Sequence, residues 1–142
     1  VRAAWRQPVG SPYQLLAPQE AVPAMGDLLC YVRANAQVLC YRGLLERLQD
    51  SEGLAMHCDI VVATEPGKMA WLVGGNVQQA VTLRMLRLDA EGRLADLPLR
   101  EASDAPCSPD APAQCNLNRQ DWVALLKFDA TAPGALLAAN DR

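Results

Sequence analysis

Residues 57–76 read HCDIVVATEPGKMAWLVGGN, two apolar runs folded about Pro66-Gly67 and closed by Asn76. Cys58 to Thr64 is β-branched and apolar, Lys68 to Val73 is again apolar, and a Pro-Gly pair between two such runs is a hairpin signal. If Glu65 pairs with Lys68, the same register sets His57 opposite Asn76. Cross-strand neighbours lie about 5 Å apart at Cβ, close enough for an Asn oxygen to hold an imidazole in one tautomer, as the third member of a triad must. A loop of two or four residues keeps this pairing. A loop of three shifts it by one and puts the two side chains on opposite faces.

Before the hairpin, Gly26-Asp27-Leu28-Leu29-Cys30-Tyr31-Val32 reads as a buried strand entered by a tight turn. Leu44, Leu45 and Leu48 fall at helical spacing against Arg42, Glu46 and Arg47, which predicts an amphipathic helix over 39–48 ending near Gly53. Ser11, Pro12 and Gln14 form a helix-start signal after an irregular lead-in over 1–9, and Pro18 keeps that helix short. After the hairpin, Val81, Leu83 and Met85 alternate with Thr82 and Arg84, a further strand running to Leu88. Arg93 to Leu99 reads as a short return strand. Residues 101–119 are too polar and Pro-rich for a regular element, 121–128 form a last strand or short helix, and 130–142 read as a tail.

The expected architecture is therefore α+β: one domain over 1–129, with a central antiparallel sheet of four to six strands and flanking short helices. Its expected core holds Leu28, Val32, Leu45, Leu48, Ile60, Val62, Trp71, Val73, Val81, Leu83 and Leu125.

With 142 residues, 51% of them hydrophobic, the chain can build one real core. A net charge of −3, with no basic cluster, removes the electrostatic footprint of a nucleic-acid binder. No apolar run approaches the roughly 20 residues that span a bilayer. The first residue is Val1, so a processed or truncated product is expected. No phosphate loop is visible, and one His with scattered cysteines gives no zinc ligand set, so neither cofactor nor metal is expected.

Five cysteines are many for a reducing cytosol and point to an oxidising compartment, periplasmic or secreted. Cys107 and Cys115 bracket a Pro-rich loop and are the first disulfide expected. Cys30 and Cys58 can be joined if their strands are neighbours. Cys40 is then left over, either buried or paired with a segment this chain lacks.

Gly26-Asp27-Leu28, His57 at the head of a strand and Gly74-Gly75-Asn76 at the end of the next resemble, in this order, the second half of a papain-like peptidase domain of the NlpC or CHAP type. The segments GDLLCYVR, HCDIVVATEPG and VGGNV are closer still to a bacterial domain-of-unknown-function family related to those peptidoglycan hydrolases. The likeness spans about Pro12 to Arg87. It implies an amidase or endopeptidase acting on peptidoglycan or a related amide, with His57 as base and Asn76 as orienter. Asp59, on the same face as His57, is the alternative orienter.

The nucleophile of such enzymes is a Cys, or in the closer family a Ser, at a helix start upstream of the GDL strand. No cysteine precedes Cys30, and Met25 stands where relatives usually have Pro. Ser11 reads as a helix cap, Cys58 points away from His57, and Cys30 reads as an inert thiol or half of a disulfide. The nucleophile is therefore expected outside this chain, in an N-terminal segment of the same protein. The alternative is an inactive relative that binds a cell-wall peptide or a protein. Taken singly, His57 reads as a structural histidine, Asn76 as a turn residue and Asp27 as a turn acceptor.

Overall fold

The computed structural model describes residues 1–6, 9–33, 38, 40–50, 53–77, 79–94, 96–100 and 116–132. The two apolar runs of the opening stretch form a hairpin of β3 (Met56–Glu65) and β4 (Met69–Val77). Its loop has three residues: Glu65 faces Met69, Gly67 takes a φ of +72°, and the Lys68 N–H donates to the Glu65 carbonyl. This loop shifts the register by one, but a bulge between Val61 and Ala63 shifts it back. Val61 therefore faces Leu72 and Ile60 faces Val73, as the two-residue loop would have set them.

Four more strands complete an antiparallel sheet ordered β1-β6-β2-β3-β4-β5: β1 (Tyr13–Leu16), β2 (Leu28–Val32), β5 (Ala80–Arg87) and β6 (Asp121–Phe128). The central strands β2 and β6 are apolar on both faces because both faces are covered there. On one face Leu29, Tyr31, Val61, Leu72, Leu86, Trp122 and Leu125 form a core with Leu94. On the other, Cys30, Val32, Ala124 and Leu126 pack under α1 (Arg2–Arg6) and α2 (Tyr41–Gln49). Leu44 and Leu48, one turn apart on α2, are its buried residues, while Arg42 and Glu46 pair on the solvent side.

The strand entrance at Gly26-Asp27 is built as a turn. Gly26 has a φ of +95°, and the Asp27 carboxylate, 1% exposed, accepts from the Ala24 N–H at 2.7 Å, the Phe128 N–H at 2.8 Å and the Lys127 Nζ at 2.9 Å. Asp27 thus clamps the start of β2 to the end of β6.

Several expectations are overturned. Residues 13–16 are strand, not helix. Ser11 caps nothing helical: its Oγ accepts from the Tyr13 N–H at 3.2 Å and donates to the Tyr13 carbonyl. The ladder to β6, from Tyr13–Phe128 to Leu16–Leu125, outweighs the local helix signal. The lead-in is helical over Arg2–Arg6, and residues 93–99 form no strand among those described, with only Leu94 deeply buried.

The core phase of β5 is also inverted. Val81, Leu83 and Met85 are exposed, Val81 by 76%, whereas Arg84 and Leu86 face inward. Ile60 and Val62 lie on the same open face and are likewise exposed, while Trp71 and Val73 are half-buried. Of the expected loop 101–119 only 116–119 are described, so the Cys107–Cys115 pairing and the tail beyond 132 lie outside the described residues.

Candidate functional site

Alternate residues of a strand share a face, so His57 and Asp59 of β3 point the same way. Their face also carries Tyr31 of β2, directly opposite His57, and Arg84 of β5, two strands beyond Asp59. Between Asp59 and Arg84 runs β4, and the residue it places beside Asp59 is Gly74. A Cβ there would overlap Asp59 Oδ1 and come within 2.8 Å of its Cγ. The missing side chain is what lets the carboxylate reach across β4.

Asp59 divides its oxygens. Oδ1 lies 3.2 Å from His57 Nε2, and Oδ2 lies 2.6 Å from Arg84 Nε. Asp59 and Arg84 are fully buried, and the His57 side chain is 14% exposed. Arg84 uses both terminal nitrogens, one donating to the Leu117 carbonyl and the other to the Tyr31 hydroxyl at 3.1 Å. Its guanidinium carbon lies 5.0 Å from the centre of the Tyr31 ring and 5.4 Å from that of Trp122, at cation-π range. Tyr31 in turn stacks at a tilt on His57, with ring centres 5.3 Å apart, and meets Trp122 edge-on at 5.2 Å.

The turn at 116–119 roofs this cluster. Trp122 Nε1 donates to the Asn118 carbonyl at 3.0 Å, and the Asn118 Oδ1 accepts from the Met85 N–H at 3.2 Å. Beneath it, His57 Nε2, both Asp59 oxygens, Arg84 Nε and Thr82 Oγ1 are buried with no aligned hydrogen-bond partner among the described residues. Charge at close range, more than hydrogen-bond alignment, joins Asp59 to Arg84, and His57 Nε2 lies against the other carboxylate oxygen. Burial pushes the Asp59 carboxyl above its ordinary range, against the opposing pull of Arg84 and, less strongly, of His57. Burial likewise raises the Tyr31 hydroxyl, again against Arg84.

Of the three residues expected at the site, the structure brings His57 and Asp59 together. Asn76 lies past the last rung of the β3–β4 ladder, at a bulge between β4 and β5, with an exposed side chain and a φ of +56°. No hydrogen bond joins it to His57 among the described residues, and its conformation is one that Asn tolerates well.

Cys30 and Cys58 face each other across β2 and β3 and are joined in a disulfide. This rung adjoins the Tyr31–His57 pair but lies on the opposite face. Cys40, expected buried or paired, is exposed, and its Sγ caps α2 by accepting from the Gly43 N–H. It therefore belongs to the helical layer, across the sheet from His57. Among the described residues no three of His, Cys, Asp and Glu gather as a metal would require.

Sequence reasoning missed Arg84, Gly74, Tyr31 and the 116–119 turn. A signal for Arg84 was present: Leu86 and Leu88 share its strand parity, and Arg87 shares that of Leu83. The alternation over 80–88 can thus be read in either phase.

With this geometry in place, a family model described as "Uncharacterized protein conserved in bacteria (DUF2272)" matches residues 1–128. The chain belongs to this bacterial family. None of the curated proteins and none of the solved structures matches it. The match runs from α1 to the end of β6, so every strand of the sheet and every residue of the His57 cluster falls within the DUF2272 span. Among the described residues no helix is long and apolar enough to cross a membrane.

Proposed function

We propose that the chain carries the base and the orienting carboxylate of a papain-like amide hydrolase, an amidase or endopeptidase acting on peptidoglycan peptides. The observation that carries this reading is His57 Nε2 held 3.2 Å from a buried carboxylate that is itself anchored by Arg84. With Nε2 turned to Asp59 Oδ1, Nδ1 is the nitrogen left for proton transfer. It takes the proton of a Ser or Cys as that oxygen or sulfur attacks the amide carbonyl carbon. It returns the proton to the leaving amine as the C–N bond breaks, and water then cleaves the acyl intermediate through the same nitrogen. Asp59, not Asn76, is the orienter and stabilises the imidazolium that forms in each step.

The nucleophile comes from outside the described residues. Cys30 and Cys58 are spent in the disulfide, and Cys40 lies on the other layer. Ser11 precedes β1, three strands from β3, roughly 14 Å at ordinary strand spacing. Backbone N–H groups at the nucleophile's helix start would receive the oxyanion. Bacterial family membership and a disulfide support a periplasmic or secreted address.

A second reading is an inactive relative that binds a cell-wall peptide or a protein through the same face. It draws support from the lack, among the described residues, of a Ser or Cys brought to His57. Digestion of purified sacculi by the full-length protein, beside labelling with serine- and thiol-reactive probes, tests between the two. Activity lost in His57→Ala, together with a probe adduct, supports the hydrolase. An inert, unlabelled protein that still sediments with sacculi supports the binding module.

A further inference from the structure

The proposed proton transfers use His57 and Asp59 and leave Arg84 without a part, although it lies against a carboxylate, a carbonyl and a hydroxyl at once. Every direction in which Asp59 could turn is settled by Arg84 or by the strand between them. Oδ2 is drawn to Arg84 Nε at 2.6 Å, and Gly74 leaves space on the other side for Oδ1. Arg84 is fixed in its turn by the Leu117 carbonyl, the Tyr31 hydroxyl and the rings of Tyr31 and Trp122. A planar fork with five donors can satisfy a carboxylate, a carbonyl and a hydroxyl at once, which an ammonium on a flexible stem cannot do as rigidly.

We infer that Arg84 is the positioning residue of this site: by pairing with Oδ2 it keeps Asp59 a carboxylate with Oδ1 aimed at His57, which fixes the imidazole proton on Nε2 and frees Nδ1. Its catalytic meaning rests on the reading of His57 as a base. Burial alone favours the protonated carboxyl, and Arg84 is the strongest influence opposing it. A neutral carboxyl could still touch the ring, but it would no longer offset the charge of an imidazolium. Arg84 therefore acts through Asp59 and need never touch substrate.

The chain has a single histidine, so its imidazole can be observed without assignment ambiguity. Nitrogen-15 spectra of histidine-labelled protein should show the neutral ring protonated on Nε2, with that N–H protected from exchange with water. Arg84→Gln, which removes the charge and both terminal nitrogens, should lose the protected signal. Arg84→Lys, which restores a cation beside Asp59, should recover it.

A folded Arg84→Gln that keeps the signal overturns the inference, as does equal loss in the Gln and Lys variants, which would make the role merely structural. If Arg84→Gln does not fold, carbon-13 spectra of Asp59 in the native protein decide: a carboxylate at neutral pH is expected, and a protonated carboxyl overturns it. No substrate enters these measurements. The hydrolase reading fails on an inert full-length protein, whereas the Arg84 inference fails on the spectrum.

Discussion

Gly74 and Asp59 occupy neighbouring strands so closely that a methyl group on the glycine would share space with Oδ1 of the aspartate. The constraint is one of room, since Asp59 cannot withdraw: Arg84 holds its other oxygen at 2.6 Å. The close approach of β4 at this point is what allows a carboxylate on β3 to serve a guanidinium on β5.

Gly74→Ala is therefore expected to destabilise the fold by about 1–3 kcal/mol, the usual cost of overpacking a filled interior. Gly75→Ala is the matched control, because a Cβ at that position meets nothing within 4 Å. Urea midpoints should fall clearly for the first variant and stay within about 0.5 kcal/mol for the second. Equal behaviour of the two would show that Asp59 can yield, and that Gly74 is not what sets its position.

Asp59 gives stability a pH dependence of defined sign. Its folded-state pKa is raised by burial, while in the unfolded chain it returns to about 3.9. Between those two values the folded protein keeps a proton that the unfolded chain has released, so the unfolding free energy falls as pH rises. The contribution is whole below the unfolded value and is lost as pH climbs through the folded one. Asp59→Asn cannot ionise, so wild type should lose stability relative to this variant across that window in paired urea titrations. A gain instead would mean that Arg84 outweighs burial.

The inverted phase of β5 makes a further test. Leu86 is 2% exposed and Leu83 60% exposed, although both belong to one alternating run. Leu86→Ala should cost roughly 2–5 kcal/mol, as truncation in a packed core does. Leu83→Ser should change stability by no more than about 0.5 kcal/mol. Reversed magnitudes would return Leu83 to the core and turn Arg84 out to solvent, dissolving the His57 cluster with it.

These contrasts show which parts of the chain could be read in advance. The β3–β4 hairpin, the Gly26-Asp27 entrance and α2 were legible because local signals and burial agree there. The strand at Tyr13–Leu16 was not, because its identity comes from pairing with Phe128–Leu125 at the far end of the chain. At β5 three apolar residues suggested one inward face, and only the charge of Asp59 on a different strand settles the other. His57 was legible as the lone histidine at a strand head, and Asp59 by its parity with it. Asn76 opposite His57 rested on register alone, which the bulges at Val61–Ala63 and Gly74–Val77 make a poor guide to side-chain contact.

The disulfide ties the two strands that carry Tyr31 and His57, one rung from where those rings meet. Closing a loop of sequence separation 28 removes conformational freedom from the unfolded chain worth roughly 3–4 kcal/mol in the chain-entropy account. The paired replacement Cys30→Ala/Cys58→Ala should lower stability by about that amount, because both positions lie within strands that antiparallel hydrogen bonds already align. Alkylation offers an independent check on the same bond. In unreduced native protein iodoacetamide should modify Cys40, which is exposed and free, and spare Cys30 and Cys58 until a reductant is added under unfolding conditions. Peptide mapping that finds Cys30 or Cys58 alkylated without reductant would remove the disulfide from the structure. It would also remove the Cys30–Cys58 bond from the argument for an oxidising compartment.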